Sequence, residues 1–155
     1  KMNKLITLSF FIFLFCNARG QVNWQRINVP NESISRLSAN STNDVYAGTY
    51  TYGVFRSVDE GSNWVNISLG LADSGITSLQ FSSDDKLFAG TSTHGVFLYN
   101  AGSWSAINNG LPVTNIDVTA FEKGTGGNMY MMANTGRINF WNGTIGYDIN
   151  TSFPT

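Results

Sequence analysis

A repeat of 40 to 42 residues runs along most of this chain, and it limits the available folds more than any other feature. Trp24, Trp64 and Trp104 stand 40 residues apart. Ala47-Gly48-Thr49 returns as Ala89-Gly90-Thr91, and Gly53-Val54-Phe55 returns as Gly95-Val96-Phe97. Gly70-Leu71 recurs as Gly110-Leu111, and Ile76 and Phe81 recur as Ile116 and Phe121. Repetition at this period marks one supersecondary unit used several times, each copy burying its apolar face against the next.

Each period divides into short strands. Ile76-Thr77-Ser78-Leu79-Gln80-Phe81 alternates apolar and polar and reads as a first strand. Ser82-Ser83-Asp84-Asp85 is a turn, and Lys86–Thr91 is a second strand. Thr93-His94-Gly95 turns into Val96–Tyr99, and Asn100-Ala101-Gly102 turns into Trp104–Ile107. No segment beyond residue 20 shows a helical apolar period. Four strands in about 40 residues is one blade of a β-propeller, so the predicted class is all-β with four-stranded antiparallel blades. The blades are expected near residues 33–69, 76–107 and 115–149, the last being the most degenerate. Residues 22–27 are expected to form an extra, ring-closing strand carrying Trp24. Three blades cannot close a ring, so the chain reads as an N-terminal part of a longer propeller.

Lys1 to Lys4 and the apolar run Leu5–Phe15 have the form of a secretory signal peptide, too short in its apolar core to be a membrane span. Cleavage is expected after Gly20, before Gln21; the alternative site lies before Arg19. Lipidation at Cys16 would need a small residue where Phe15 stands. Without residues 1–20 the basic count falls from nine to six against ten acids, a net charge near −4, and no cysteine remains. A mildly acidic chain with no basic run excludes nucleic acid as a natural partner. Export without disulfides suits a bacterial protein in the periplasm, at the cell surface or secreted.

Ser57-Val58-Asp59-Glu60-Gly61-Ser62-Asn63-Trp64 links the third and fourth strands of the first period. Asp59 is placed to accept backbone N–H groups inside the turn, Gly61 to take a positive φ, Ser57 to bond the same loop, and Trp64 to pack beneath it. The segment resembles the Asp-box, the Ser-x-Asp-x-Gly-x-Thr-Trp (BNR-type) turn of sialidase-like, sortilin-like and photosystem-assembly-factor propellers, with Asn63 where Thr is usual. With the repeats, the resemblance covers nearly all of residues 22–149. It implies that Asp59 is a structural turn residue lying away from the ligand face. In the second period the turn has decayed to Asn100-Ala101-Gly102-Ser103-Trp104, and in the third to Trp141-Asn142-Gly143-Thr144.

A propeller meets ligands on the end formed by the loops between successive blades and between the second and third strands of each blade. Those loops carry Tyr50, Tyr52, Asp73, His94, Asn134 and Arg137. Aromatic rings with a few polar groups suit a protein, peptide or glycan ligand. His94, the single histidine, has neither a cysteine nor a carboxylate near it in sequence, so no metal site is expected. Asp73 and Asp117 are the only acids near the favoured end and form a weak candidate pair for glycoside hydrolysis. No cofactor motif is present. The reading that follows is a secreted binding or scaffold propeller. Two alternatives remain: a sialidase- or xyloglucanase-like hydrolase, and a periplasmic sensor propeller of a two-component system, to which the Ile-Thr-Ser-Leu and Gly-Thr phrases of Ile76–Gly95 are similar.

Overall fold

The computed structural model describes residues 26, 27, 29, 33–111, 115–143 and 146–148. The segment assigned to a signal peptide, Trp24 and residues 22–25 lie outside them. Arg26 and Ile27 belong to no strand.

Among the described residues, twelve strands form three antiparallel meanders in chain order. Blade 1 contains β1 (Ile34–Ala39), β2 (Val45–Thr49), β3 (Val54–Ser57) and β4 (Val65–Asn66). Blade 2 contains β5 (Ile76–Phe81), β6 (Leu87–Thr91), β7 (Val96–Asn100) and β8 (Ser103–Ala106). Blade 3 contains β9 (Val118–Lys123), β10 (Met129–Ala133), β11 (Ile138–Trp141) and β12 (Gly146–Asp148). The chain is all-β, an arc of three propeller blades. The four strands expected between Ile76 and Ile107 are all present.

Register sets which face each side chain takes. Gly48 pairs with Arg36, Gly90 with Ser78 and Met132 with Ala120, so the structural period through these strands is 42. By this register Ile76 corresponds to Val118, not to Ile116, and Leu79 to Phe121. The expected match of Ile76 and Phe81 to Ile116 and Phe121 is therefore out of register by two residues. An even slip preserves the face of each side chain, which is why the apolar pattern concealed it.

The blades join through repeated devices. A Cβ on Gly48 would lie 2.6 Å from Ile76 Cγ2, and one on Gly90 would lie 2.5 Å from Val118. Only glycine lets the first strand of the next blade approach so closely. The first strand of each blade also carries a bulge, at Ser35, Thr77 and Thr119. The Ser35 hydroxyl donates across the junction to Ile76 O at 2.5 Å, and that of Thr77 to Val118 O at 2.6 Å. Thr119 turns back to Met132 O within its own blade, at 3.1 Å.

Two apolar cores fill the junctions. Tyr46, Val54, Ile76, Leu79, Phe81 and Trp104 lie in the first, with the Tyr46 and Phe81 rings edge-on at 5.0 Å. Phe88, Val96, Val118, Met129 and Met131 lie in the second, where Phe88 meets Trp141 edge-on at 5.0 Å. Trp64 and Trp104 occupy the same position in their blades but act differently. Trp104 Nε1 donates to Ile67 O of the preceding blade at 2.7 Å, whereas Trp64 Nε1 donates to Gly61 O of its own turn at 3.1 Å.

Candidate functional site

The two ends of the arc use their polar groups differently. At the end formed by the turns between first and second strands, side chains bind neighbouring turns. The Asp85 carboxylate accepts from the Ser41 N–H and hydroxyl, and Ser83 Oγ accepts from Gly127 N at 2.8 Å. Asp44 holds Arg56 through its Nε at 3.2 Å and its Nη2 at 2.5 Å.

The Asp59 turn is closed on itself. Asp59 Oδ1 accepts from Asn63 N and from the Ser57 hydroxyl, both at 2.8 Å, and Oδ2 accepts from Asn63 Nδ2 at 2.7 Å. The Asn63 side-chain and backbone bonds, then Ser57, hold the Asp59 carboxyl below its ordinary pKa. Gly61 has φ of +87° and donates its N–H to Ser57 Oγ at 2.8 Å. Glu60 is also left-handed, at φ of +58°, which no residue type signals in advance. Asn63 thus binds the Asp59 carboxylate twice, through its backbone N–H and its side-chain amide.

The opposite end is built on a repeated backbone frame. Tyr50 N donates to Ser33 O, Ser92 N to Gly75 O and Asn134 N to Asp117 O, at 2.9, 3.0 and 2.9 Å. Thr49 and Thr91 are fully buried at the ends of β2 and β6. Each hydroxyl donates to the carbonyl that ends the turn, Gly53 O or Gly95 O, at 3.0 Å. Each also accepts a turn N–H, from Tyr52 at 2.8 Å and from His94 at 3.1 Å. Asn66 Nδ2, at the end of β4, and Asn108 Nδ2, just beyond β8, brace the same turns at Tyr52 O and His94 O. Tyr52 and His94 thus occupy one position in successive blades and project from fixed turns. In blade 3 Ala133 replaces the threonine, and the turn of Asn134 and Arg137 keeps its Ala133 N to Arg137 O bond at 3.2 Å.

Asp73 and His94 lie 21 residues apart in the sequence and meet in space. The missing carboxylate beside His94, on which the sequence reading relied, is supplied by Asp73 Oδ2 at 3.5 Å from Nδ1. Asp73 Oδ2 also accepts from the Thr93 hydroxyl at 2.8 Å, Thr93 N at 3.1 Å and Ser92 Oγ at 3.0 Å, and Oδ1 accepts from Gly75 N at 2.9 Å. Burial raises the Asp73 pKa, but the donors of Gly75, Thr93, Ser92 and His94 together outweigh it and hold the carboxyl at about 2. Thr93 Oγ1 lies 2.8 Å from His94 Nδ1. The single Thr93 proton serves the anion, so Thr93 accepts from His94 Nδ1–H. The His94 side chain is 54 % exposed and that of Asp73 is 15 % exposed.

Tyr50 and Tyr52 are 59 % and 49 % exposed. Asp117 precedes β9 instead of opening it, takes the blade-3 position equivalent to Gly75, and among the described residues its buried Oδ1 has no hydrogen-bond partner. Asp73, saturated by donors and ionised far below neutral pH, cannot serve as a general acid at pH 7. Sequence reasoning missed Thr49, Thr91, Asn66 and Asn108. Their recurrence at a spacing of 42 is the signal that could have found them.

No family model matches the chain, and no curated protein matches it. Solved structures do. The extracellular domain of BT4673, a one-component-system protein of B. thetaiotaomicron, aligns at 20 % identity with a TM-score of 0.62, over 81 % of this chain and 17 % of that one. Virginiamycin B lyase from Staphylococcus aureus, an inactive histidine-to-alanine variant solved with quinupristin, aligns at 16 % identity with a TM-score of 0.62, over 83 % and 47 %. YCF48 bound to D1 peptide aligns at 8 % identity with a TM-score of 0.59, over 76 % and 40 %. The chain spans less than half of each of these chains. At such identities the likeness is one of fold, and it identifies the chain as three blades of a β-propeller.

Proposed function

We propose that this chain is the ligand-facing part of an exported binding propeller, and that its protein, peptide or glycan ligand meets the end carrying Tyr50, Tyr52 and His94. One observation carries this reading. Those three side chains stand exposed on turns fixed by buried threonines and backbone bonds, while at the other end Asp85 bonds the neighbouring turn and Asp44 and Asp59 bond within their own blade. Exposed groups on rigid supports bind with little loss of conformational freedom. The neighbouring structures support a binding role: one holds a peptide, another quinupristin, and a third is the extracellular domain of a signalling protein. The last also agrees with export and with a sensor function.

Asn134 and Arg137 extend the same surface into blade 3. The hydrolase alternative draws least support, because Asp73 is a turn-binding anion held ionised at neutral pH. Screening the chain against peptide and glycan libraries tests the proposal. Tyr52→Ala and His94→Ala are each expected to weaken a captured ligand about tenfold or more while leaving Tm nearly unchanged. Capture that survives both substitutions would move the site elsewhere.

A further inference from the structure

Blade 3 departs from the other two at one buried pair. Ala47 faces Phe55 in blade 1, and Ala89 faces Phe97 in blade 2. The same register in blade 3 sets Met131 opposite Asn139. A primary amide thus replaces an aromatic ring at a position only 5 % exposed. Asn139 Nδ2 faces Met131 Sδ at 3.9 Å, a weak acceptor, and among the described residues Oδ1 has no hydrogen-bond partner.

A cavity lies beside this amide, between blades 2 and 3. Phe88, Val96 and Ile107 wall it from blade 2, and Phe121, Met129 and Trp141 from blade 3. The centre of a water molecule has about 30 Å³ to move in, which in a rounded space is the room of roughly one benzene ring. The repeat would have filled this region with a third phenylalanine. A buried orphan acceptor is unfavourable, so its presence beside an open apolar space calls for an occupant.

We infer that this cavity binds a small neutral aromatic molecule carrying one O–H or N–H donor, of the phenol class, with its ring among Phe88, Phe121 and Trp141 and with the Asn139 amide, whose Oδ1 is closed off in the empty cavity, turning to receive its donor. Water is a poor occupant, because it needs two to four polar partners and the cavity offers one amide. A purely apolar molecule would leave the carbonyl unpaired. A charged one would lose its hydration without a counter-ion. The site is separate from the loop end and stands whether or not that end binds a ligand.

The test titrates the chain with phenol, and with benzene as a ring that lacks the donor, following Tm and tryptophan fluorescence. Phenol is expected to raise Tm and to bind about tenfold more tightly than benzene. Asn139→Leu keeps an apolar cavity without the acceptor and should abolish that preference. Asn139→Phe restores the repeat residue, and should bind neither probe. No Tm shift with millimolar phenol, equal affinity for the two probes, or phenol binding retained in Asn139→Phe would overturn the proposal. Circular dichroism establishes that each variant folds, and Asn139→Leu carries the test if the larger ring is not accepted.

Discussion

At the residue scale, the Asp73 carboxylate ties the connection between blades 1 and 2 to the turn carrying His94, through Gly75, Ser92 and Thr93. Its pKa is depressed from 3.8 to about 2 in the folded chain, so the folded state binds fewer protons than the unfolded state in that interval. The resulting stability is fully present above pH 4 and is lost as the pH falls toward 2. The shift corresponds to about 2 kcal/mol. Asp73→Asn is therefore expected to lower the unfolding free energy by about that amount at pH 7, and the difference from the parent should shrink below pH 4. Urea unfolding at pH 7 and pH 3 measures both. A second residue-scale effect concerns Thr91, which is fully buried and both donates to Gly95 O and accepts from His94 N. Thr91→Val keeps the shape but leaves the His94 N–H without its acceptor. A loss of about 1–3 kcal/mol is expected, with faster hydrogen exchange at the His94 amide.

Strands show where the sequence was informative and where it was not. Blade 2 was legible because Ile76, Leu79 and Phe81 stand apolar among polar neighbours and Gly90, Gly95 and Gly102 mark its close approach and turns. The Asp59 turn was legible because all its partners fall within eight consecutive residues. The Asp73–His94 contact was not, because its members sit in loops of different strand connections and only the stacking of blade on blade joins them. The bulge hydroxyls of Ser35 and Thr77 were equally hidden, since Ser and Thr are common in strands and a bulge leaves no compositional mark. The Gly90 contact with Val118 tests the junction these elements form. Gly90→Ala would place a methyl 2.5 Å from Val118 and force blades 2 and 3 apart. Overpacking of this kind typically costs about 1–3 kcal/mol, and the loss should be partly relieved in the double variant with Val118→Gly, which removes both the Cβ and the Cγ1 that the new methyl would meet. A double-mutant cycle on Tm reads this coupling, and simple additivity would show that the two residues do not meet.

Across the whole molecule, each blade presents one face toward the blade that follows. In blade 1 that face includes Tyr46 and Val54 and is covered by blade 2; in blade 2 it includes Phe88 and Val96 and is covered by blade 3. The same register positions in blade 3 are Tyr130 and Ile138, with Met132 in place of glycine and Phe140 beside Tyr130 at 5.1 Å between ring centroids. Tyr130 is 37 % exposed where Phe88 is 1 % exposed, and Met132 is exposed as well. Exposed aromatic and thioether groups on one sheet face drive association when two such faces can meet. Geometry restricts the meeting. The outer face of blade 1 offers Ile34, the counterpart of Ile76 and Val118, which seat against glycines at the existing junctions. Against Met132 that side chain finds no recess, so a second copy cannot stack with native spacing. The association expected of this chain is therefore loose and concentration-dependent, without a fixed stoichiometry. Sedimentation velocity over a concentration series should show a rising, broadening profile. Placing a charge in the patch with Met132→Lys should return it to monomer, while Leu37→Lys, on an exposed position at the other end of the arc, should change it far less. A sharp dimer unaffected by Met132→Lys would assign the contact to a different surface.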